Sequence, residues 1–247
     1  MTSKPLSDRI ALVTGASRGI GAALALELAS AGAHVVAVAR TVGGLEELDD
    51  RINAAGGTAT LVPLDVTDSD GIARLALALN ERYGRLDALI GNAGILGPLS
   101  PLDHVEPKDW DKLMAVNVTA NWQLIRTMDV LLKRAEAGRA VFLTSGLSWR
   151  AQAYTGPYAA SKAALNALVQ VYAAETATTN VRVNAFSPGP TRTRMYASGW
   201  PGVDQSTLPP PEDVVKAIVP LCLPGCGESG KVYDYRSSRF LAFHPPA

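Results

Sequence analysis

The sequence predicts an α/β protein built on a doubly wound parallel sheet of about seven strands, with helices on both faces. Three observations predict it. Short, continuously apolar, β-rich runs recur along the chain. Longer helical stretches separate them throughout, and strands that are apolar at every position belong to a sheet covered on both faces. No linker rich in Pro, Gly and polar residues interrupts the alternation, so residues 1–247 are expected to form one domain.

The elements follow in order. Residues 10–14 (IALVT) read as a buried strand, and residues 20–31, rich in Ala and Leu, as a helix stopped by Gly32. Residues 34–40 (HVVAVAR) form the next strand, and a helix over 45–55 is closed by Gly56 and Gly57. A third strand at 59–64 precedes a helix at 70–83, and a fourth strand at 86–92 (LDALIGN) precedes a helical region from 110 to 137. Residues 140–145 (AVFLTS) are the fifth strand, 158–178 a long helix and 181–187 the sixth strand. A last helix over 211–221 leads to a short strand at 231–235. The longest irregular stretch, residues 188–211, carries three glycines, a tryptophan and a proline run. Long loops in compact domains are usually functional, so residues 190–211 are the expected substrate lid.

Composition excludes several classes. With 47% hydrophobic and 19% charged residues, the chain can bury a sizeable core and is not disordered. Lys+Arg and Asp+Glu are both 23, and the resulting lack of basic excess argues against nucleic acid or an anionic membrane as partner. The segment from Met1 to Ser7 has no apolar signal core, and no run of 18 apolar residues occurs. Cys222 and Cys226 are too few for a structural zinc site and read as free thiols, so a reducing, cytoplasmic setting is expected. His34, His104 and His244 are scattered, and no metal site is expected.

The first strand runs into Thr14-Gly15-Ala16-Ser17-Arg18-Gly19-Ile20-Gly21 and then a helix. Glycines allow close backbone approach, and a helix N-terminus presents free N–H groups to a pyrophosphate. At the first strand–helix junction of a doubly wound chain this turn predicts a dinucleotide site. The second strand ends Ala39-Arg40-Thr41, with no acid to hold a ribose 2′-hydroxyl. Arg40, with Arg18 in the glycine turn, suits a 2′-phosphate, so NADP(H) is expected and NAD(H) less favoured. Asp65-Val66 and Asn92-Ala93-Gly94 close the third and fourth strands, where the ligand crevice forms, and Asp65 could accept from an adenine amino group or cap the next turn.

Tyr158 and Lys162 stand four residues apart, about one helical turn, with Ser145 thirteen residues upstream of the tyrosine. A cation beside a phenol favours the phenolate. Tuning a tyrosine from about 10 toward 7 amounts to roughly 4 kcal/mol and would let it exchange protons at neutral pH.

Together these residues resemble the short-chain dehydrogenases/reductases, in their main single-domain branch with a Rossmann-like fold. TGASRGIG at 14–21, Asp65-Val66, Asn92-Ala93-Gly94, Asn117, Ser145, YAASK at 158–162 and Pro188-Gly189 occur in that family's order and spacing. The resemblance implies Tyr158 as general acid for reduction and base for oxidation. It implies that Lys162 lowers the tyrosine pKa and holds the nicotinamide ribose, that Ser145 holds the substrate oxygen, and that Asn117 keeps a water linking Lys162 to solvent. Pro188, Gly189, Thr191 and Thr193 would flank the nicotinamide, and Gly15, Ser17, Arg18, Ile20 and Gly21 would cradle the phosphates. A homotetramer is implied, with a dimer next.

The expected activity is reversible reduction of a ketone or aldehyde to an alcohol, and the apolar and aromatic pocket candidates suggest a bulky ketone. A catalytically silent nucleotide-binding regulator on the same fold is the alternative, and an enoyl reductase is disfavoured because that branch spaces its tyrosine and lysine further apart. Ser145, Leu147, Tyr154 and Tyr158 are the expected substrate contacts, with Leu96, Trp149, Gln152, Met195, Tyr196 and Trp200 as further candidates for the pocket wall. Two departures from the family stand out. The tail from Arg236 to Ala247 lacks the usual paired glycines, and Arg194 follows Thr193 where many relatives carry an acid.

Overall fold

The computed structural model describes residues 4–150 and 152–243. His244 and the rest of the extreme C-terminus lie outside the described residues, as does the start of the Met1–Ser7 segment. Among the described residues eight strands form one sheet, in the order β3-β2-β1-β4-β5-β6-β7-β8. These are β1 (Ile10–Thr14), β2 (His34–Ala39), β3 (Thr58–Pro63), β4 (Ala88–Gly91), β5 (Arg139–Leu143), β6 (Arg182–Ser187), β7 (Lys231–Asp234) and β8 (Arg239–Ala242). The first seven are parallel, and β8 returns antiparallel on β7, with Val232 opposite Leu241. The order reverses between β1 and β4, and the crevice of a doubly wound sheet opens at the carboxyl ends of the strands at such a point.

Strand side chains alternate between two cores, as a pleat requires. Ala11, Val13, Val35 and Ala37 pack on one face with the helices α1 (Gly19–Ser30) and α2 (Val42–Ala54). Leu12, Val36 and Val38 pack on the other with α3 (Ser69–Tyr83) and the helices that follow it. α3 begins at Asp68, whose carboxylate accepts from Gly71 N, and ends at Gly84 with φ 71°, a conformation glycine adopts without strain.

The helical region expected over 110–137 is three pieces: α4 (Pro107–Met114), one π-helical turn (Ala115–Thr119) and α5 (Ala120–Arg134). Such widened turns often mark functional sites, and this one holds Asn117. α6 (Gly156–Glu175) carries Tyr158 and Lys162.

Three expectations are corrected by tertiary structure. The lid segment contains a short helix, α7 (Arg194–Gly199), capped by Thr193, whose hydroxyl accepts from Tyr196 N, followed by a 3-10 turn (Gln205–Thr207). The last helix is split into α8 (Pro211–Val215) and α9 (Val219–Cys222), because Pro220 lacks an N–H and its ring would strike the preceding turn. The tail after residue 236 contains β8, which is largely exposed and so shows no apolar alternation. β8 is held instead by Phe240, edge-on to Tyr233 at 5.2 Å, while Tyr233 stacks on Phe186 at 5.7 Å.

Candidate active site

The glycine turn is locked to β4 through Thr14. Its hydroxyl donates to the Ile90 carbonyl at 3.2 Å and accepts from the backbone N–H groups of Asn92 and Ala93 at 3.0 and 3.1 Å. The Asn92 amide donates to the carbonyls of Thr14 and Gly15. Gly15 and Gly19 sit at φ 67° and 58°. A Cβ on Gly21 would fall 2.3 Å from the Gly15 carbonyl oxygen, so only hydrogen fits there. α1 then begins with no side-chain cap and no acid in its first turn, which leaves its N–H groups for an anion. Asn92 and Ala93 are thus fasteners of the turn, Gly94 sits instead against Asn117 and Lys162, and Thr14, part of the glycine motif but given no role of its own by the sequence, is the residue that Asn92 and Ala93 hold.

Arg18 and Arg40 are both exposed beside this turn. α2 closes on it, with Gly44 against Ser17, and its first turn likewise has no acid. Arg40 Nη1 lies 3.5 Å from Asp65 Oδ2, a solvent-exposed pair worth at most about 1 kcal/mol. Asp65 Oδ1 accepts from the Thr67 N–H and hydroxyl at 2.9 and 2.8 Å, so the acid caps its own turn. Partial burial pushes the Asp65 carboxyl up, but these Thr67 hydrogen bonds and Arg40 outweigh it and hold it below its ordinary value. Val66 is buried behind it. Across the crevice, the Thr193 methyl would lie 3.6 Å from a Cβ on Gly19, and Thr191 is buried, its hydroxyl donating to the Gly189 carbonyl.

Ser145 lies just past β5 and caps a 3-10 turn (Gly146–Ser148), its hydroxyl accepting from Leu147 N at 3.2 Å. Behind it Thr144 donates to Asn166 Oδ1 at 2.6 Å, Asn166 donates to the Ser148 hydroxyl, and Ser148 donates to the Ser145 carbonyl at 2.6 Å. This chain of bonds from α6 fixes the serine. Asn117 Oδ1 accepts from Ile95 N, and its amide donates to the Ile95 carbonyl and to the Ser161 hydroxyl at 3.0 Å. Ser161 in turn donates to the Tyr158 carbonyl. The Asn117 carbonyl itself accepts from Asn121 at 2.8 Å. Ser161 and Asn166 escaped sequence reasoning because only the folded neighbours give them a role.

Lys162 is buried beside Tyr158, and the net shift of the phenol is upward rather than toward 7. The Lys162 ammonium, 4% exposed as a residue, donates to the Leu143 carbonyl at 2.8 Å and stands 5.8 Å from the centre of the Tyr158 ring. Burial pushes the Tyr158 phenol up to about 12, and the hydrogen bond from Ser145 offsets this only in part. Burial pushes Lys162 down to about 8. Desolvation penalises both charged forms and outweighs the cation's pull on the phenolate.

Ser145, Tyr158, Pro188, Gly189, Thr191 and Thr193 all line one cavity of about 830 Å³. Leu96, Leu147, Trp149, Gln152, Met195, Tyr196 and Trp200 complete much of its wall, and Tyr196 stacks on Trp200 at 4.8 Å. Tyr154 is not brought there: it is 61% exposed, at φ 69°, and its carbonyl accepts from Ser100 N. The cavity also reaches Asp234, Arg236 and Ser237 from the tail, which sequence order gave no reason to place there. Among the described residues no three His, Cys, Asp or Glu side chains gather as a metal site, and no helix is long and apolar enough to cross a membrane.

Hydroxyls aimed into a cavity beside an anion-accepting glycine turn are the equipment of a dinucleotide-binding oxidoreductase. The family model for short chain dehydrogenase matches residues 9–202, and the chain belongs to that family. It is 38% identical over 213 residues to the "uncharacterized oxidoreductase YciK" of Escherichia coli, covering 85% of this chain and 84% of that one. It is 31% identical over 220 residues to a sepiapterin reductase of Chlorobaculum tepidum, covering 85% and 88%. Among solved structures, a short chain dehydrogenase from Shigella flexneri complexed with NADP superposes with a TM-score of 0.89 at 35% identity, covering 95% of this chain and all of that one.

Proposed function

We propose that this protein is an NADP(H)-dependent oxidoreductase that reduces a ketone or aldehyde to an alcohol, reversibly. The observation that carries the reading is the convergence of Ser145 and Tyr158 on one cavity beside the glycine turn, with Lys162 buried behind them. NADPH would supply the hydride to the carbonyl carbon. Ser145 and Tyr158 donate hydrogen bonds to the carbonyl oxygen as negative charge grows on it, and Tyr158 passes its phenolic proton to that oxygen. Lys162, close to neutral pKa, restores the proton, and Asn117 holds Ile95 and Ser161 in register beside it and keeps a water in reach of the ammonium.

Gly15, Ser17, Arg18, Ile20 and Gly21 receive the phosphates, Asp65 and Val66 border the adenine, and Pro188, Gly189, Thr191 and Thr193 border the nicotinamide. Residues 190–211 act as the lid of a single catalytic domain. The preference for NADP(H) rests on Arg40 and Arg18 and on the lack of an acid at the end of β2; the NADP complex of the Shigella relative supports it. The direct test follows NADPH oxidation against ketones graded in size, and no turnover on any of them overturns the reading. Arg40→Ala lowers the preference for NADPH over NADH by about tenfold or more, the scale of a lost charge-assisted hydrogen bond. An unchanged ratio of kcat/KM values refutes the role of Arg40.

A cytoplasmic setting fits the unpaired Cys222 and Cys226. Self-association as a homotetramer, with a dimer next, is supported by Trp122 and Val130 on α5 and Val171 on α6, all exposed. Sedimentation velocity at micromolar concentration is expected to show the tetramer; a monomer refutes it.

A further inference from the structure

The paired glycines expected after the last parallel strand are absent, and Arg236 occupies the turn between β7 and β8. We propose that Arg236 receives a carboxylate of the substrate, so that the enzyme acts on a ring-sized carbonyl compound bearing an acid group. The proposal rests on the reductase reading of the same cavity.

The turn is built to hold the arginine in place. Tyr235 N donates to the Ser187 carbonyl at 3.0 Å, and Asp234 Oδ2 accepts from Ser237 N and Oγ at 3.2 and 2.8 Å. The aliphatic stem of Arg236 lies on Gly189: a Cβ there would come 2.9 Å from its Cγ and 3.2 Å from its Cδ. Gly189, at φ 66°, therefore serves two ends, the sharp turn after β6 and room for the arginine. Arg236 lines the cavity that Ser145 and Tyr158 also line, and among the described residues its guanidinium makes no ion pair or side-chain hydrogen bond.

The remaining charges of the wall leave a positive balance. Arg150 is a second cation, also without an ion pair among the described residues, and Asp234 is the one carboxylate, already engaged by Ser237. Trp149, Tyr196 and Trp200 supply flat apolar surface to a ring. A guanidinium presents a rigid fork of donors that matches a carboxylate with two hydrogen bonds, and a neutral amide in its place forfeits the charge.

The test measures binding and turnover separately. Calorimetric titration of the NADP+-saturated full chain, which cannot reduce a ketone, compares 4-acetylbenzoate with its neutral isostere 4-acetylbenzamide. The acid is expected to bind about tenfold tighter or better, and Arg236→Gln to erase the difference while NADP+ affinity changes by less than about threefold. Arg236→Lys keeps part of the preference. Equal binding of the two ligands, binding of neither at millimolar concentration, or a preference that survives Arg236→Gln overturns the proposal. A loss of NADP+ affinity in Arg236→Gln also overturns it, since the guanidinium would then serve the cofactor. Turnover with NADPH is read apart: a carboxylate preference without reduction of any ketone sinks the reductase reading and leaves the anion site standing. Reduction of the amide as readily as the acid sinks the anion site alone.

Discussion

Replacing Tyr158 by Phe lowers kcat for carbonyl reduction by about 10³-fold, within the range that a positioned general acid contributes. The substitution removes one hydroxyl and keeps the ring, which packs at the start of α6. NADPH affinity and thermal stability are expected to change little, because the phenol, pushed up to about 12 by burial, is neutral at pH 7 and carries no charge that binding or folding depends on. The same value sets the pH dependence in each direction. Reduction needs the protonated phenol, which is present at every pH below about 12, so Tyr158 places no alkaline limit on it between pH 6 and 9. Oxidation needs the phenolate, so its rate is expected to climb as pH rises through that range. Stopped-flow NADPH consumption on wild type and variant checks the first expectation, and pH profiles in both directions check the second. A variant retaining more than a tenth of wild-type kcat refutes Tyr158 as the acid.

Lys162→Met is expected to cost activity and to gain stability at neutral pH. A unit charge about 6 Å from the ring acts with roughly 2–3 kcal/mol at the effective dielectric of a protein site, so its loss lowers kcat by about 10²-fold. The stability effect has the opposite sign. Burial depresses the Lys162 pKa from its ordinary 10.5 to about 8, so the native state carries the full cost of a buried ammonium below pH 8, about 3 kcal/mol. Between pH 8 and 10.5 the native lysine is losing its proton while the unfolded one keeps it, and wild type gains stability as pH rises. Above 10.5 both forms are neutral and the cost is gone. Methionine never bears this cost, but it leaves the Leu143 carbonyl without its 2.8 Å partner, a loss of about 1–3 kcal/mol. The variant should therefore match or exceed wild type at pH 7 and fall behind it near pH 10.5. Denaturant midpoints of both proteins at the two pH values test this; a stability difference that does not move with pH refutes the buried-charge account.

Much of the site was legible because its signals are local. The glycine turn is a run of eight residues, and the Tyr158–Lys162 spacing is one turn of α6. The parallel strands announced themselves as unbroken apolar runs because both of their faces are covered. Where the reading failed, the deciding contacts join residues far apart in the chain. The Tyr158 phenol, expected to fall toward 7, is pushed up by burial, and the Lys162 ammonium is held by the Leu143 carbonyl, nineteen residues back. Tyr154 sits four residues before Tyr158 in sequence and still points to solvent, because its backbone adopts a left-handed conformation and its carbonyl is held by Ser100. β8 was missed because an exposed edge strand need not alternate, and its evidence is the partner strand β7 rather than its own composition.

The sequence by itself therefore determined the class of fold, the glycine turn and the placing of Tyr158 and Lys162 one helical turn apart, since each rests on propensity and on periodicities of two and 3.6 residues. The tertiary structure alone decided three other matters: that burial raises Tyr158 and lowers Lys162, that Tyr154 leaves the pocket, and that Arg236 enters it across Gly189. The physical reason is common to all three. Desolvation and shape complementarity depend on which atoms surround a group, and chain folding sets that neighbourhood only when strands β1 to β8 are laid side by side.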